Sequence, residues 1–390
     1  MRPKKILITG ATGFIGSRLC EMLSLEHHIP YRALVRNFSR AARIARLDAE
    51  MVAGDMLDVD SLEKAVQGCD CVVHLAHSDD KTAGKQAANL VAVCRRARIE
   101  RFVHVSSMAV HGPTPEPEVL TEANAVIKRW GEAYSDAKAE AEAVVTAAFE
   151  KHRFPAVILR PTVVYGPYSF FVTPIVNDAR EGRVSLIDGG RGICNAVYVD
   201  DVCDAILAAI ASDDVLGKAF FINGDSRITW REFITTFAEL VAVPKKTYDH
   251  SVDEITEHWR SRQPRTRGSV IAALRLAASP AFHAQLSTVP RLGVLIRSTK
   301  ELVTAAISAE QKLSIKSRLR GRPVIAHHDG EPPVKVPSEG RVVREAYRSW
   351  ISNELAKSRL GWRPGHTFEE GAARTAEWLR FARMLSPARA

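Results

Sequence analysis

A doubly wound α/β fold, with a parallel sheet between helical layers, is predicted for this 390-residue chain by three observations. Short apolar runs alternate with stretches of helical periodicity as far as about residue 240. The first run, Ile6-Leu7-Ile8, is continuously apolar, as a strand buried on both faces must be. Glycines at 10, 13 and 16 follow at once and open the apolar-periodic run Arg18 to Leu23, giving strand, glycine turn and helix.

The remaining elements follow in order. Strands are predicted near 5–9, 31–35, 50–53, 71–75, 101–105 and 156–160, with helices near 14–25, 60–67, 83–97 and 130–151 between them. Strands near 184–187 and 219–222 are assigned partly to a substrate-side lobe, with a helix from Val202 to Ala211 between them. The implied organisation is a sheet domain over 1–170, lobe segments interleaved with the sheet over 171–250, a basic helical insertion over 251–345 and a C-terminal helical part of the lobe over 346–390. Within 251–345 arginine and proline recur, and Leu292, Leu295, Ile296, Leu302, Val303 and Ala306 keep helical spacing. The plain reading is a helical cap on the substrate cleft, and the sharper alternative is a basic surface that touches a membrane or a partner.

Composition narrows the classes. The net charge is +9 and 46% of residues are apolar, without a run near the roughly 20 needed to span a bilayer, so a soluble protein is expected. Six cysteines without a CxxC pair read as small buried hydrophobes of a reducing cytoplasm. No metal is expected, and His327-His328-Asp329-Gly330-Glu331 reads as an exposed loop. Basic residues without interleaved aromatics argue against nucleic acid and for an anionic cofactor or substrate.

The glycine turn explains that anion. Gly10, Thr12, Gly13, Phe14, Ile15 and Gly16 place backbone N–H groups and the positive end of a helix where a pyrophosphate would sit. After the second strand stands Arg36, with Arg40 near it, where an acidic residue would mark an NAD enzyme. A guanidinium pairs with a 2′-phosphate, so NADP(H) is favoured while NAD(H) stays open. Asp55 and Met56 follow the third strand at the adenine, and Leu75 and Ala76 end the fourth beside the cofactor.

Ser107 ends the fifth strand at the carboxyl edge of the sheet, where such folds bind ligands. Tyr134 and Lys138 lie four apart on a helix and so face one way. A phenol of pKa about 10 is a poor base at neutral pH, and a neighbouring ammonium favours the phenolate. The order of glycine turn, Arg36, Asp55, Ser107, Tyr134 and Lys138 makes the set specific.

Over roughly 4–240 and 347–380 the chain resembles the extended short-chain dehydrogenase/reductases, the NAD-dependent epimerase/dehydratase family. The opening motif from Thr9 to Gly16, Leu159 to Pro167 and Asn195 to Val202 carry the likeness beside the Tyr134/Lys138 pair. The resemblance implies a Rossmann-type NAD(P)-binding domain and hydride transfer at a carbinol or carbonyl carbon. It makes Ser107 the catalytic hydroxyl, Tyr134 the general acid/base and Lys138 the ribose-binding lysine, and it places Pro161 and Val163 against the cofactor. Relatives acting on nucleotide sugars carry an asparagine where this chain has Thr162 or Val163, and an arginine where it has Ile193-Cys194. Arg191 is a substitute for the arginine, and His111 and Thr162 are further candidate substrate contacts. Met108 and Ala109 after Ser107 speak against dehydration.

The first expectation is a nucleotide-sugar epimerase or keto-reductase acting on a small molecule. The alternative is a hydroxysteroid- or dihydroflavonol-type reductase of an apolar alcohol or ketone, and the alternative of another class is a non-catalytic NAD(P)-binding regulator. Relatives dimerise through the helix bearing the Tyr-x-x-x-Lys pair. Its small residues, Ala137, Ala139, Ala141, Ala143, Ala147 and Ala148, fit a homodimer.

Overall fold

A computed structural model describes residues 3–77, 79–112, 118–262, 324–325 and 334–385. Seven parallel strands form the central sheet: β1 (Ile6–Thr9), β2 (Tyr31–Val35), β3 (Glu50–Ala53), β4 (Cys71–His74), β5 (Arg101–Val105), β6 (Ala156–Pro161) and β7 (Ala219–Ile222). Their order across the sheet is β7-β6-β5-β4-β1-β2-β3. The chain therefore leaves β1 in one direction, returns, and continues from β4 in the other, so the carboxyl ends of β1 and β4 border the crevice where such sheets bind ligands.

Period-two alternation explains the two layers. Ile6, Ile8, Val73, Val103 and Leu159 belong to the core on one face, whereas Leu7, Val72, Phe102 and Ile158 belong to the core on the other. All of these but Ile158 are sealed from solvent, and each contributes roughly 1.5–3 kcal/mol by burial. The covering helices are α1 (Phe14–Met22), α2 (Val59–Val66), α3 (Ala83–Arg96), α4 (Ala133–His152) and α5 (Val199–Ala211).

Three details differ from the sequence reading. The strand at 219–222 is the outermost strand of the main sheet, in register with β6 through Ala219↔Ile158 and Ile222↔Pro161. Its Phe220 and Ile222 complete the buried face that β6 opens, which a lobe strand would leave bare. The helix expected from 130 starts at Ala133, because the Glu132 carboxylate caps it by accepting from the N–H groups of Tyr134 (3.3 Å) and Ser135 (2.7 Å). Of the small residues on α4, Ala137 and Ala141 pack inside the chain on Ala83 and Ala87 of α3, and Ala143 is exposed. All six cysteines are free, and five are buried.

The lobe is held by contacts far apart in sequence. Val163–Tyr165 pairs in parallel with Ala196–Tyr198, and Arg183–Ile187 with Lys246–His250. Tyr165 stacks with Tyr198, Phe233 and Phe368, the last from α6 (Phe368–Phe381). The short strand Trp350–Ile351 returns to pair with Val119–Leu120. Packing divides the chain into Met1–His250 with Val343–Ala390, and a separate unit Ser251–Val342. Within the second unit a helix, Val252–Arg262, and an antiparallel pair, Val324–Ile325 with Val334–Lys335, are described. The periodic leucines from 292 to 306 and the histidines at 327 and 328 lie outside the described residues. Among the described residues no helix is long and apolar enough to cross a membrane.

Candidate active site

The glycine turn is a cradle that side chains would fill. Gly10 has φ +75°, and a Cβ there would lie 2.7 Å from the Ala76 nitrogen at the end of β4. A Cβ at Gly16 would collide with the Gly10 carbonyl oxygen. Gly13 donates to that oxygen at 2.9 Å and forms the N-cap of α1 without a side-chain cap, leaving N–H groups of the first turn to an incoming anion. Thr9 accepts from the Ala76 N–H at 3.4 Å, so the turn and the Leu75-Ala76 segment are joined. These features fit a dinucleotide pyrophosphate.

At the adenosine end, Arg36 leaves β2 directly and is exposed, as is Arg40. The following Asn37 is occupied with Ser39, accepting from its N–H at 3.0 Å and its hydroxyl at 2.7 Å. No carboxylate follows β2, which suits a 2′-phosphate better than a free ribose hydroxyl. Asp55 accepts from the Leu57 N–H at 2.8 Å, and Met56 is buried with its carbonyl accepting from Asn89 at 3.1 Å.

The three reacting candidates meet at the carboxyl ends of β4 and β5. Ser107 caps the short turn Met108–His111, accepting from the Ala109 N–H at 3.2 Å. Its hydroxyl also hydrogen-bonds the Tyr134 phenol. Tyr134 keeps 39% of its surface open, with its ring edge-on to His77 at 5.2 Å. Burial raises the phenol above its usual pKa, with Glu132 and Asp80 adding to the rise and Ser107 opposing it. The protein therefore holds the phenol protonated, where the sequence pattern alone pointed to phenolate. Lys138 is buried, donates to the Val105 carbonyl at 3.2 Å, and is pushed down to about 8 by desolvation, with Glu142 opposing.

Around this set lie polar groups that the sequence reading passed over. Glu142 accepts the Ser106 hydroxyl at 2.6 Å and is bound by the Arg160 guanidinium, whose Nε stands 3.1 and 3.2 Å from its two oxygens. A signal was present, since Tyr134, Lys138 and Glu142 recur every fourth residue of one helix. His74 and His104 stack at 5.2 Å beneath the site, and burial lowers His74 to about 3 and His104 well below the usual imidazole range.

The remaining candidates lie apart from the reacting trio. The Thr162 hydroxyl is directed at Asn223 Oδ1 (3.0 Å) and the Ile222 carbonyl (3.3 Å). Arg191 is exposed and stands with Arg231 and Asp249 around Gly189. His111 is buried, donates from Nδ1 to the Val126 carbonyl at 3.1 Å and lies 5.0 Å from the Phe221 ring. It thereby ties down the segment that leads into α4. Pro161 and Val163 are buried at the end of β6 and just beyond it. No group of three metal-ligating side chains occurs among the described residues.

Comparison with known proteins agrees with this geometry. The family described as NAD dependent epimerase/dehydratase matches residues 6–222. A ketoreductase of Stigmatella aurantiaca, named for 4-hydroxy-2-methyl-3-oxo-4-farnesyl-3,4-dihydroquinoline-1-oxide, is 28% identical over 290 residues, covering 70% of this chain and 85% of that protein. A 2-alkyl-3-oxoalkanoate reductase of Shewanella oneidensis is 27% identical over 263 residues, covering 62% of this chain and 67% of that one. Among solved structures, UDP-glucuronic acid 4-epimerase from Bacillus cereus superposes with a TM-score of 0.65 at 16% identity, covering 97% of this chain and 99% of that chain. A dTDP-glucose 4,6-dehydratase from Bacillus anthracis gives 0.65 at 19%, covering 97% and 96%. At these identities the likeness is one of fold.

Proposed function

The chain belongs to the NAD dependent epimerase/dehydratase family, and from that premise we propose that it is an NADP(H)-dependent reductase of a ketone bearing an apolar chain. The coarser statement, an NAD(P)-dependent oxidoreductase of the extended short-chain type, follows from the family and from relatives named as reductases.

Thr162 carries the substrate reading. Its hydroxyl stands where nucleotide-sugar relatives place an asparagine, and it is spent on Asn223 and Ile222 inside the protein. The names of the two reductase relatives describe ketones with farnesyl or alkyl substituents, which supports the same class. The protonated Tyr134 supports the direction, because reduction of a carbonyl needs a proton donor at the oxygen. Arg36, with no acidic residue after β2, supports NADP(H).

In this mechanism the cofactor, when bound, supplies hydride to the carbonyl carbon. Gly10, Gly13 and Gly16 leave room for its pyrophosphate, Arg36 and Arg40 hold its 2′-phosphate, Asp55 faces its adenine, and Lys138 holds its nicotinamide ribose. Ser107 donates a hydrogen bond to the substrate oxygen and fixes it beside Tyr134. The Tyr134 phenol then gives its proton to the oxygen as negative charge develops there.

The second reading, a nucleotide-sugar epimerase, is favoured by Arg191 and Arg231, two guanidiniums gathered at Gly189 of the lobe. NADPH consumption measured with 2-alkyl-3-oxoalkanoates and farnesylated quinoline ketones, beside UDP- and dTDP-sugars, decides between them. Turnover of the apolar ketones alone is expected. Interconversion of sugars without net NADPH use would overturn the proposal.

A further inference from the structure

We propose that Glu142 is a positioning residue of the active site, acting through Ser106 on the catalytic hydroxyl and through space on Lys138. The inference rests on reading Ser107, Tyr134 and Lys138 as the reacting set. It begins with the geometry of α4, where Tyr134, Lys138 and Glu142 succeed one another every fourth residue and so share a face. Tyr134 reaches the outer end of the cleft, whereas Lys138 and Glu142 are buried.

Glu142 holds two elements at once. It accepts the Ser106 hydroxyl at 2.6 Å, which fastens the carboxyl end of β5 to α4, one residue before Ser107. It also receives the Arg160 guanidinium from β6. Three successive elements of the site are thereby pinned to one carboxylate, and a buried carboxylate with three short donors has little freedom to shift.

The charge has its own consequence. Lys138 is faced by His74 on β4, His104 on β5 and His77 just beyond β4, and burial disfavours the charged form of all three. Glu142 is the acidic group that favours the Lys138 ammonium, against a burial effect that brings it to about 8. Arg160 cancels much of Glu142's field. Loss of Glu142 alone would leave two buried cations facing each other, whereas loss of both partners would leave Lys138 near its present state.

Three variants test this: Glu142→Gln, the double variant Glu142→Gln with Arg160→Met, and Ser106→Ala. The readouts are the pH profile of kcat/KM for whichever carbonyl is turned over, and the pH dependence of NADPH affinity by cofactor fluorescence. The second readout needs no substrate. Glu142→Gln is expected to move the alkaline limb of both profiles down by about one pH unit, and the double variant to return it to within a few tenths. Ser106→Ala, which buries no unpaired charge, is expected to lower kcat about fivefold to thirtyfold with the limb unmoved and NADPH affinity intact.

Uniform scaling of activity at every pH by Glu142→Gln, with the limb in place, would overturn the electrostatic role. Unchanged kcat in Ser106→Ala would overturn the positioning role even where Glu142→Gln fails to fold. Failure of the reading of Tyr134 is separable, since Tyr134→Phe would then keep its turnover while these profiles still moved.

Discussion

The cofactor end of the molecule is made of backbone, and the substrate side is made of long-range side-chain contacts. Around Gly10, Gly13 and Gly16 the decisive groups lie within one strand-turn-helix unit, and the partners brought from elsewhere are the Leu75-Ala76 backbone and Thr9 beside it. In the lobe, Asn195 holds the Ser349 carbonyl 154 residues away, and Asn353 holds the Asn223 carbonyl across 130. A binding function that needs only peptide N–H groups and space is fixed by local geometry. Selectivity for a substrate is fixed by what a distant segment brings back.

The contrast is sharpened most by Tyr134→Phe, where both regions converge. Turnover should fall by about 10²- to 10⁴-fold while NADPH affinity changes little, as steady-state kinetics and cofactor fluorescence will read. Gly16→Val strikes only the cofactor end: NADPH binding should weaken by at least about 100-fold, because any Cβ there meets the Gly10 carbonyl. Isothermal titration with NADPH checks it, and tight binding would break the cradle argument. For Arg36→Ser the expected outcome is a drop of about tenfold to a hundredfold in the preference for NADPH over NADH, since one bidentate phosphate contact is lost.

The smaller effects lie on the other side. Thr162→Val should leave cofactor affinity alone and lower stability by about 1–3 kcal/mol, because it unpairs the buried Asn223 oxygen. A denaturant titration measures that, and a large change in NADPH affinity would instead make Thr162 part of the cofactor site. Histidines give the mildest test. His74 is lowered to about 3 and His111 to about 4, both by burial, so the folded state excludes the charged form. Their stabilisation is complete above the unfolded value near 6.5 and is lost as pH falls from there toward 4, at about 1.4 kcal/mol per pH unit for each. Thermal unfolding between pH 7 and 5 should follow this slope, and His111→Gln should flatten it.

Legibility in the sequence divides along the same line. Ile6 to Gly16 states its own structure, because an unbroken apolar run and three glycines leave few alternatives. Tyr134 and Lys138 were legible as a pair because a helix puts fourth neighbours together. Glu142 was equally placed but has no meaning until Ser106 and Arg160, from two other strands, arrive at it. Thr162 was legible as a departure from a pattern, yet its partner Asn223 lies 61 residues on. The strand at 219–222 was seen, but its place at the sheet edge depends on β6, and short apolar runs do not name their neighbours.

One of these distant pairings has a consequence for how the chain reaches its fold. Val119–Leu120 and Trp350–Ile351 form a two-residue parallel ladder that joins segments more than 200 residues apart. Closing so long a loop is entropically costly and rewarded late, so local units such as β1-turn-α1 are expected to form well before it. The lobe would then be the last part to set and the first to loosen. Hydrogen exchange should protect the amides of β1 and β4 more strongly than those of Trp350 and Ser352, which donate to the carbonyls of Glu118 and Leu120. A protein built this way would retain its cofactor while its substrate side breathes.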